Sequence, residues 1–103
     1  MLAPLDLVVL VTLSRRSQGT HGYDLLQTLR DEHEIDAATT SLYRSLRQLL
    51  DRGLIIEAEP MPGDDPRRRR YSITSAGSQA VAMEQKRLTR LFRTFVRPAR
   101  AHA

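Results

Sequence analysis

Four consecutive arginines, Arg67 to Arg70, follow Asp65-Pro66 and lead into Tyr71. A guanidinium stays charged and presents a planar fork of donors, so such a run suits phosphate oxygens and guanine edges. A second group gathers in one short stretch: Thr40, Ser41, Tyr43, Arg44, Arg47 and Gln48. Hydroxyl, guanidinium and amide groups are the donors and acceptors that read base edges, and a tyrosine hydroxyl can donate to a phosphate. His21, Asp24, His33 and Glu34 are the residues that could ligate a metal. His21 and Asp24 can share a helix face, but His33 lies three turns on and no second cluster exists, so no metal site is expected. The chain has no cysteine, which excludes disulfides, thiolate nucleophiles and thiolate metal sites. No histidine stands beside a nucleophile and a carboxylate in a recognisable motif, and all five glycines are isolated. Neither a catalytic site nor a bound cofactor is expected.

The charge is unevenly spread. Of 16 basic residues only Lys86 is a lysine, and the formal net charge is +4. Residues 1–34 carry −2 and residues 35–58 are neutral; residues 59–71 carry +1 and residues 72–103 carry +5. The basic material is thus one loop cluster and one C-terminal stripe, Arg90, Arg93, Arg97 and Arg100. Both suit a polyanion. Asp64 and Asp65 partly neutralise the tip of the loop.

These side chains need positioning elements. The length of 103 residues predicts a single globular unit. The longest apolar run, Leu7 to Leu13, is too short to span a bilayer and lacks the flanks of a signal peptide, so a cytoplasmic protein without membrane contact is expected. Pro4 suits the first turn of a helix that ends near Arg15–Arg16 and is apolar on most sides. A second helix is predicted over about 21–33, with Thr20 as N-cap and Tyr23, Leu25, Leu26 and Leu29 as its apolar stripe. A third runs from Thr39 or Thr40 to Arg52, with Leu42, Leu46, Leu49 and Leu50 on one face and Gly53 as its C′ residue. Residues 54–58 and 69–74 read as two strands of a hairpin around a Pro- and Gly-rich loop. Thr74 or Ser75 then caps a long helix to about Val96, stopped by Pro98.

Three short helices and a hairpin make a winged helix-turn-helix: a mainly α fold with a β-hairpin, in which the third helix can enter a major groove and the hairpin loop is the wing. We divide the chain into a winged domain, 1–74, and a long C-terminal dimerisation helix with its tail, 75–103. Val81, Leu88, Leu91, Phe92, Phe95 and Val96 form an apolar seam on that helix, opposite the arginine stripe. A partner helix of a second subunit would cover it. Packing on the first helix, or lying on an anionic membrane, are the other ways to cover it. By themselves the polar face of the third helix and the arginine loop also describe ordinary solvated surface.

Four blocks resemble the PadR family of bacterial transcriptional regulators: Thr20-His21-Gly22-Tyr23-Asp24-Leu25-Leu26, Ser41-Leu42-Tyr43-Arg44-Ser45-Leu46, Arg52-Gly53-Leu54-Ile55 and Arg70-Tyr71-Ser72-Ile73-Thr74-Ser75-Ala76-Gly77. They stand in the family's order across about residues 5–80, and the single C-terminal helix is similar to the small subfamily. The resemblance implies a winged-helix homodimer built by the first and last helices, and repression of a nearby operon relieved by a small-molecule effector at the dimer interface. It also implies that Tyr43 and Arg44 lie at double-stranded DNA. Where the family usually carries Ser-Pro-Gly-Thr, this chain has Ala38-Thr39-Thr40-Ser41. Arg67 and Arg68 are expected on the DNA backbone or minor groove, and two-fold symmetry predicts an inverted-repeat operator. The reading from another class is a winged-helix adaptor that binds protein and no DNA.

Overall fold

The computed structural model describes the backbone of residues 1–101 and the side chains of residues 1–95. The order is α1 (Pro4–Ser14), β1 (Thr20–His21), α2 (Gly22–His33), α3 (Thr39–Asp51), β2 (Ile55–Ala58), β3 (Arg70–Ile73) and α4 (Ser75–Ala101). The predicted helices and hairpin are all present, and α1 begins at Pro4 as its fixed φ favours.

The core is leucine. Val9, Leu10 and Leu13 of α1 meet Leu25 and Leu29 of α2 and Leu42, Leu46 and Leu49 of α3, all buried. In α3 the leucines recur at helical spacing, so burying that stripe turns Thr40, Arg44, Arg47 and Gln48 outward. Each of these leucines cut back to alanine would cost about 2–5 kcal/mol, because the close-packed surroundings relax only in part. Two polar residues share the core: Ser45 of α3 donates its hydroxyl to the Asp6 carboxylate of α1, and both are buried. That bond ties the middle of α3 to the first turn of α1, where a negative charge favours the helix dipole.

Four expectations need correction. Thr20 does not cap α2. It pairs with Tyr71, and His21 with Arg70, so Thr20–His21 adds a third strand in the order β1-β3-β2. His21 takes the N-cap position, with no side-chain cap bond. Tyr23 leaves the apolar stripe of α2 and is 53% exposed, since Leu25 and Leu29 already fill the core side of that helix. Pro98 does not stop α4, which continues to Ala101. Its missing N–H leaves the carbonyl of Thr94, an exposed residue four places back, without its helical donor. Asp64, finally, does not sit at the wing tip, as described below.

Other local signals are confirmed. Gly53 follows α3 at φ +71, the left-handed conformation that ends a helix. Thr74 caps α4, its Oγ1 accepting the Gly77 N–H at 3.0 Å while donating to the Gly53 carbonyl at 2.8 Å. Gly77 has a steric reason as well, for a Cβ there would collide with the Leu54 carbonyl and the Ile73 side chain. The first turn of α4 therefore lies hard against the hairpin.

Candidate nucleic-acid interface

The outward face of α3 carries a row of exposed polar side chains. Thr40, Arg44, Arg47 and Gln48 are exposed, Ser41 is half-buried, and Tyr43 sits at the flank toward α2. Gly22, the first residue of α2, lets the Tyr43 phenol lie against that helix start. A Cβ at Gly22 would stand 2.8 Å from the Tyr43 hydroxyl.

The wing uses its four arginines in different ways. Its loop turns at Asp65-Pro66-Arg67-Arg68, with the Arg68 N–H donating to the Asp65 carbonyl at 2.9 Å and the Arg67 N–H donating to Asp65 Oδ1 at 2.9 Å. Proline at the second place of such a turn presets its φ. Arg67, Arg68 and Arg69 are exposed, and Arg69 reaches Glu57 on the neighbouring strand at 3.0 Å. Arg70 turns inward. Its Nε and Nη2 donate to Asp64 Oδ2 and Oδ1 at 3.1 and 2.8 Å, and its Nη1 donates to the Gly19 carbonyl at 3.2 Å. The Asp64 side chain is only 9% exposed. It also accepts the Met61 N–H at 2.7 Å, and its Oδ1 lies 3.4 Å from His21 Nε2.

Asp64 is therefore no counter-charge at the tip. It closes the base of the wing and joins it to the strand that precedes α2. Sequence reasoning missed this role because residues 64, 70, 19 and 21 converge only after the hairpin has closed. The Arg70 guanidinium, and after it the Met61 amide, hold the Asp64 carboxyl well below the usual carboxylate range. The folded chain thus keeps this group ionised at pH values where the unfolded chain has already taken up a proton. Its stabilising effect is complete above the ordinary carboxylate value, begins to fall below it, and is gone only when the pH has passed the depressed value of the folded chain. Asp64→Asn is expected to lower Tm near neutrality, and its difference from the parent is expected to narrow progressively as the pH falls below about 4. Melting curves at several pH values check this; a difference that stays constant into acid would show that the carboxylate is not what holds the wing.

The other expected residues lie as follows. His21 Nδ1 is 3.7 Å from Asp24, while His33 stands apart, its Nε2 3.5 Å from Thr12 Oγ1. Among the described residues no three histidines or carboxylates gather where they could hold a metal ion. On α4, Val81 and Leu88 are half-buried and line a groove of about 450 Å³ with Leu7, Val11 and Phe92. Leu91, Phe92 and Phe95 are exposed, at 57%, 58% and 78%. Glu84 is buried nearby and accepts two bonds from Arg87, at 2.8 and 3.0 Å, which hold its carboxyl below the usual range. The side chains of Val96, Arg97 and Arg100 lie outside the described residues. No described helix is long and apolar enough to cross a membrane.

A helix-turn-helix with a buried leucine face, followed by a hairpin carrying exposed arginines, defines a winged-helix protein of the nucleic-acid-binding kind. The chain belongs to the PadR-like family of transcriptional regulators, whose family model matches residues 9–83. Among solved structures it is similar to a PadR family transcription regulator from Clostridium difficile, with a TM-score of 0.76 and 16% identity over 93% of this chain and 97% of that one. It is similar to a PadR family regulator from Eggerthella lenta, with a TM-score of 0.71 and 25% identity over 89% of this chain and 80% of that one. A PadR-like transcription factor from Bacteroides fragilis aligns with a TM-score of 0.74 and 20% identity, over 88% and 85% of the two chains. No curated protein matches the chain.

Proposed function

We propose that this regulator binds double-stranded DNA sequence-specifically as a homodimer and represses transcription from an inverted-repeat operator. The observation that carries the reading is the outward row on α3, Thr40, Arg44, Arg47 and Gln48, beside three exposed wing arginines. A helix presents bidentate donors such as Arg and Gln to a major groove from this kind of face. Ser41 and Tyr43 flank the row, and Arg67 and Arg68 clamp backbone or minor groove. Leu91, Phe92 and Phe95, continued by Leu88 and Val81, supply the apolar surface for the second subunit. The groove between α1 and α4 is the place for a small-molecule effector, because a ligand there would contact both helices that build the dimer. The protein acts in the cytoplasm, where the chromosome is, and its role is binding rather than catalysis.

A mobility-shift assay with the gene's own upstream region tests the reading, since a protein-interaction adaptor would leave that duplex unshifted. Arg44→Ala or Arg47→Ala is expected to cost about 1–3 kcal/mol and to relax sequence preference at one position. Arg67→Ala is expected to weaken all sequences alike, because a phosphate contact carries no sequence information. Binding-site selection with each variant separates the two roles. A change of specificity in Arg67→Ala with none in Arg44→Ala or Arg47→Ala would invert reader and clamp.

A further inference from the structure

Between the wing and the helix-turn-helix lies an open cavity of about 360 Å³, lined by His21, Gly22, Tyr23, Tyr43, Tyr71 and the arginines Arg67, Arg68 and Arg69. Among the described residues no carboxylate is part of its lining. We propose that this cavity is a seat for one backbone phosphodiester of the bound duplex, with Tyr23 and Arg68 acting together as its clamp. The proposal rests on the DNA-binding reading and assigns a role to Tyr23, which neither the face of α3 nor the arginine run includes.

Three observations point to an anion. The Arg68 guanidinium lies over the Tyr23 ring, 5.5 Å from its centre. Stacking of this kind holds a flexible arginine in place while leaving its N–H edge free to donate. Secondly, the Gln27 amide donates to the Tyr23 hydroxyl oxygen at 3.1 Å. With that lone pair engaged, the Tyr23 O–H is left as a donor, and donation into its oxygen strengthens it. Thirdly, Gly22 holds the Tyr43 phenol beside the same opening, so a second hydroxyl faces it. Four carboxylates touch lining residues: Asp64 and Asp24 stand 3.4 and 3.7 Å from His21, Glu57 pairs with Arg69 at 3.0 Å, and Asp65 lies beside Arg67; Asp64 is already held by Arg70. Asp24 is exposed on the first turn of α2, and Asp65 is engaged by Arg67.

The position identifies the anion as a phosphodiester of a duplex. The cavity opens between the helix that faces a major groove and the wing that flanks it, which is where the intervening sugar-phosphate strand must pass. Tyrosine rings on its walls suit the apolar faces of deoxyribose, whereas a free inorganic anion would leave them unused. The N-terminus of α2, whose cap makes no side-chain bond, adds its dipole to the same field.

The test measures binding to a random-sequence duplex, and to the upstream region, as a function of salt. Tyr23→Phe and Arg68→Gln are each expected to weaken both duplexes equally, by about ten-fold, as loss of a hydrogen bond to a charged group does. Loss of the Arg68 charge in Arg68→Gln lowers the slope of log K against log salt by about 0.9 per protomer, whereas Tyr23→Phe removes no charge and lowers affinity with the slope unchanged. Because the two residues form one clamp, the double variant is expected to lose less than the product of the single losses. Gly22→Ala, which displaces the Tyr43 phenol and suits a helix first turn, is expected to weaken both duplexes with Tm unchanged or raised. A parent that binds duplex while Tyr23→Phe keeps its affinity and Arg68→Gln keeps both its affinity and its slope overturns the seat alone. A parent that binds neither duplex overturns the seat and the DNA reading together. Inorganic phosphate that competes with the parent at constant ionic strength, but not with the double variant, overturns the phosphodiester assignment in favour of a free anion.

Discussion

Operator affinity is expected to fall on the order of a thousand-fold or more between about 50 and 200 mM salt. Each arginine that neutralises a phosphate releases a condensed counterion, and the entropy of that release shrinks as bulk salt rises. The wing exposes Arg67, Arg68 and Arg69, and α3 exposes Arg44 and Arg47. Two such surfaces on one duplex reach the number of contacts at which so steep a dependence is found. Arg70 adds nothing to the slope, because Asp64 and the Gly19 carbonyl already hold its guanidinium. Titrations at four or five salt concentrations give the slope directly. A flat response would remove the DNA reading, whatever the affinity at a single salt concentration.

The second large effect is expected at α4. Leu91→Asp with Phe95→Asp should yield a folded monomer whose operator affinity falls about 10²- to 10⁴-fold, although every proposed DNA contact is intact. Both side chains are exposed in the single chain, so the winged domain loses nothing by their change. Leu88 is the poorer choice, since it is half-buried in the groove beside α1 and its replacement would also disturb the monomer. An apolar patch of this kind on a monomer is an aggregation liability, and burial against the same helix of a second subunit removes it. Each large apolar side chain lost from such an interface costs about 2–5 kcal/mol, and an aspartate in its place adds the cost of burying a charge. The molecule already extends to 57 Å along its longest axis against 26 and 23 Å across, so α4 projects well beyond the domain it follows. Sedimentation of parent and variant, beside operator titration, decides the matter. A parent that sediments as a monomer at micromolar concentration would end the dimer reading and the inverted-repeat operator with it.

The amino-acid sequence by itself determined what depends on neighbours along the chain. Leucines at helical spacing made α3 and chose which of its faces would carry Thr40, Arg44, Arg47 and Gln48, because a 3.6-residue repeat leaves one solution for burying them. Gly53 and Thr74 marked helix boundaries, since a left-handed φ and a capping hydroxyl act within a few residues. Tertiary structure alone decided the rest. Thr20–His21 carries no strand pattern and becomes one only because β3 offers it a free edge. Tyr23 looked like core by spacing, yet Leu25 and Leu29 filled the space beneath α2 and left the phenol at the mouth of the wing cavity. Asp64 and Asp65 are adjacent and chemically identical, but hairpin closure brings Arg70, Gly19 and His21 to the first and leaves the second at the turn. Charge pairing of that kind follows distance in space, and the chain writes distance in space only where its periodicity is local.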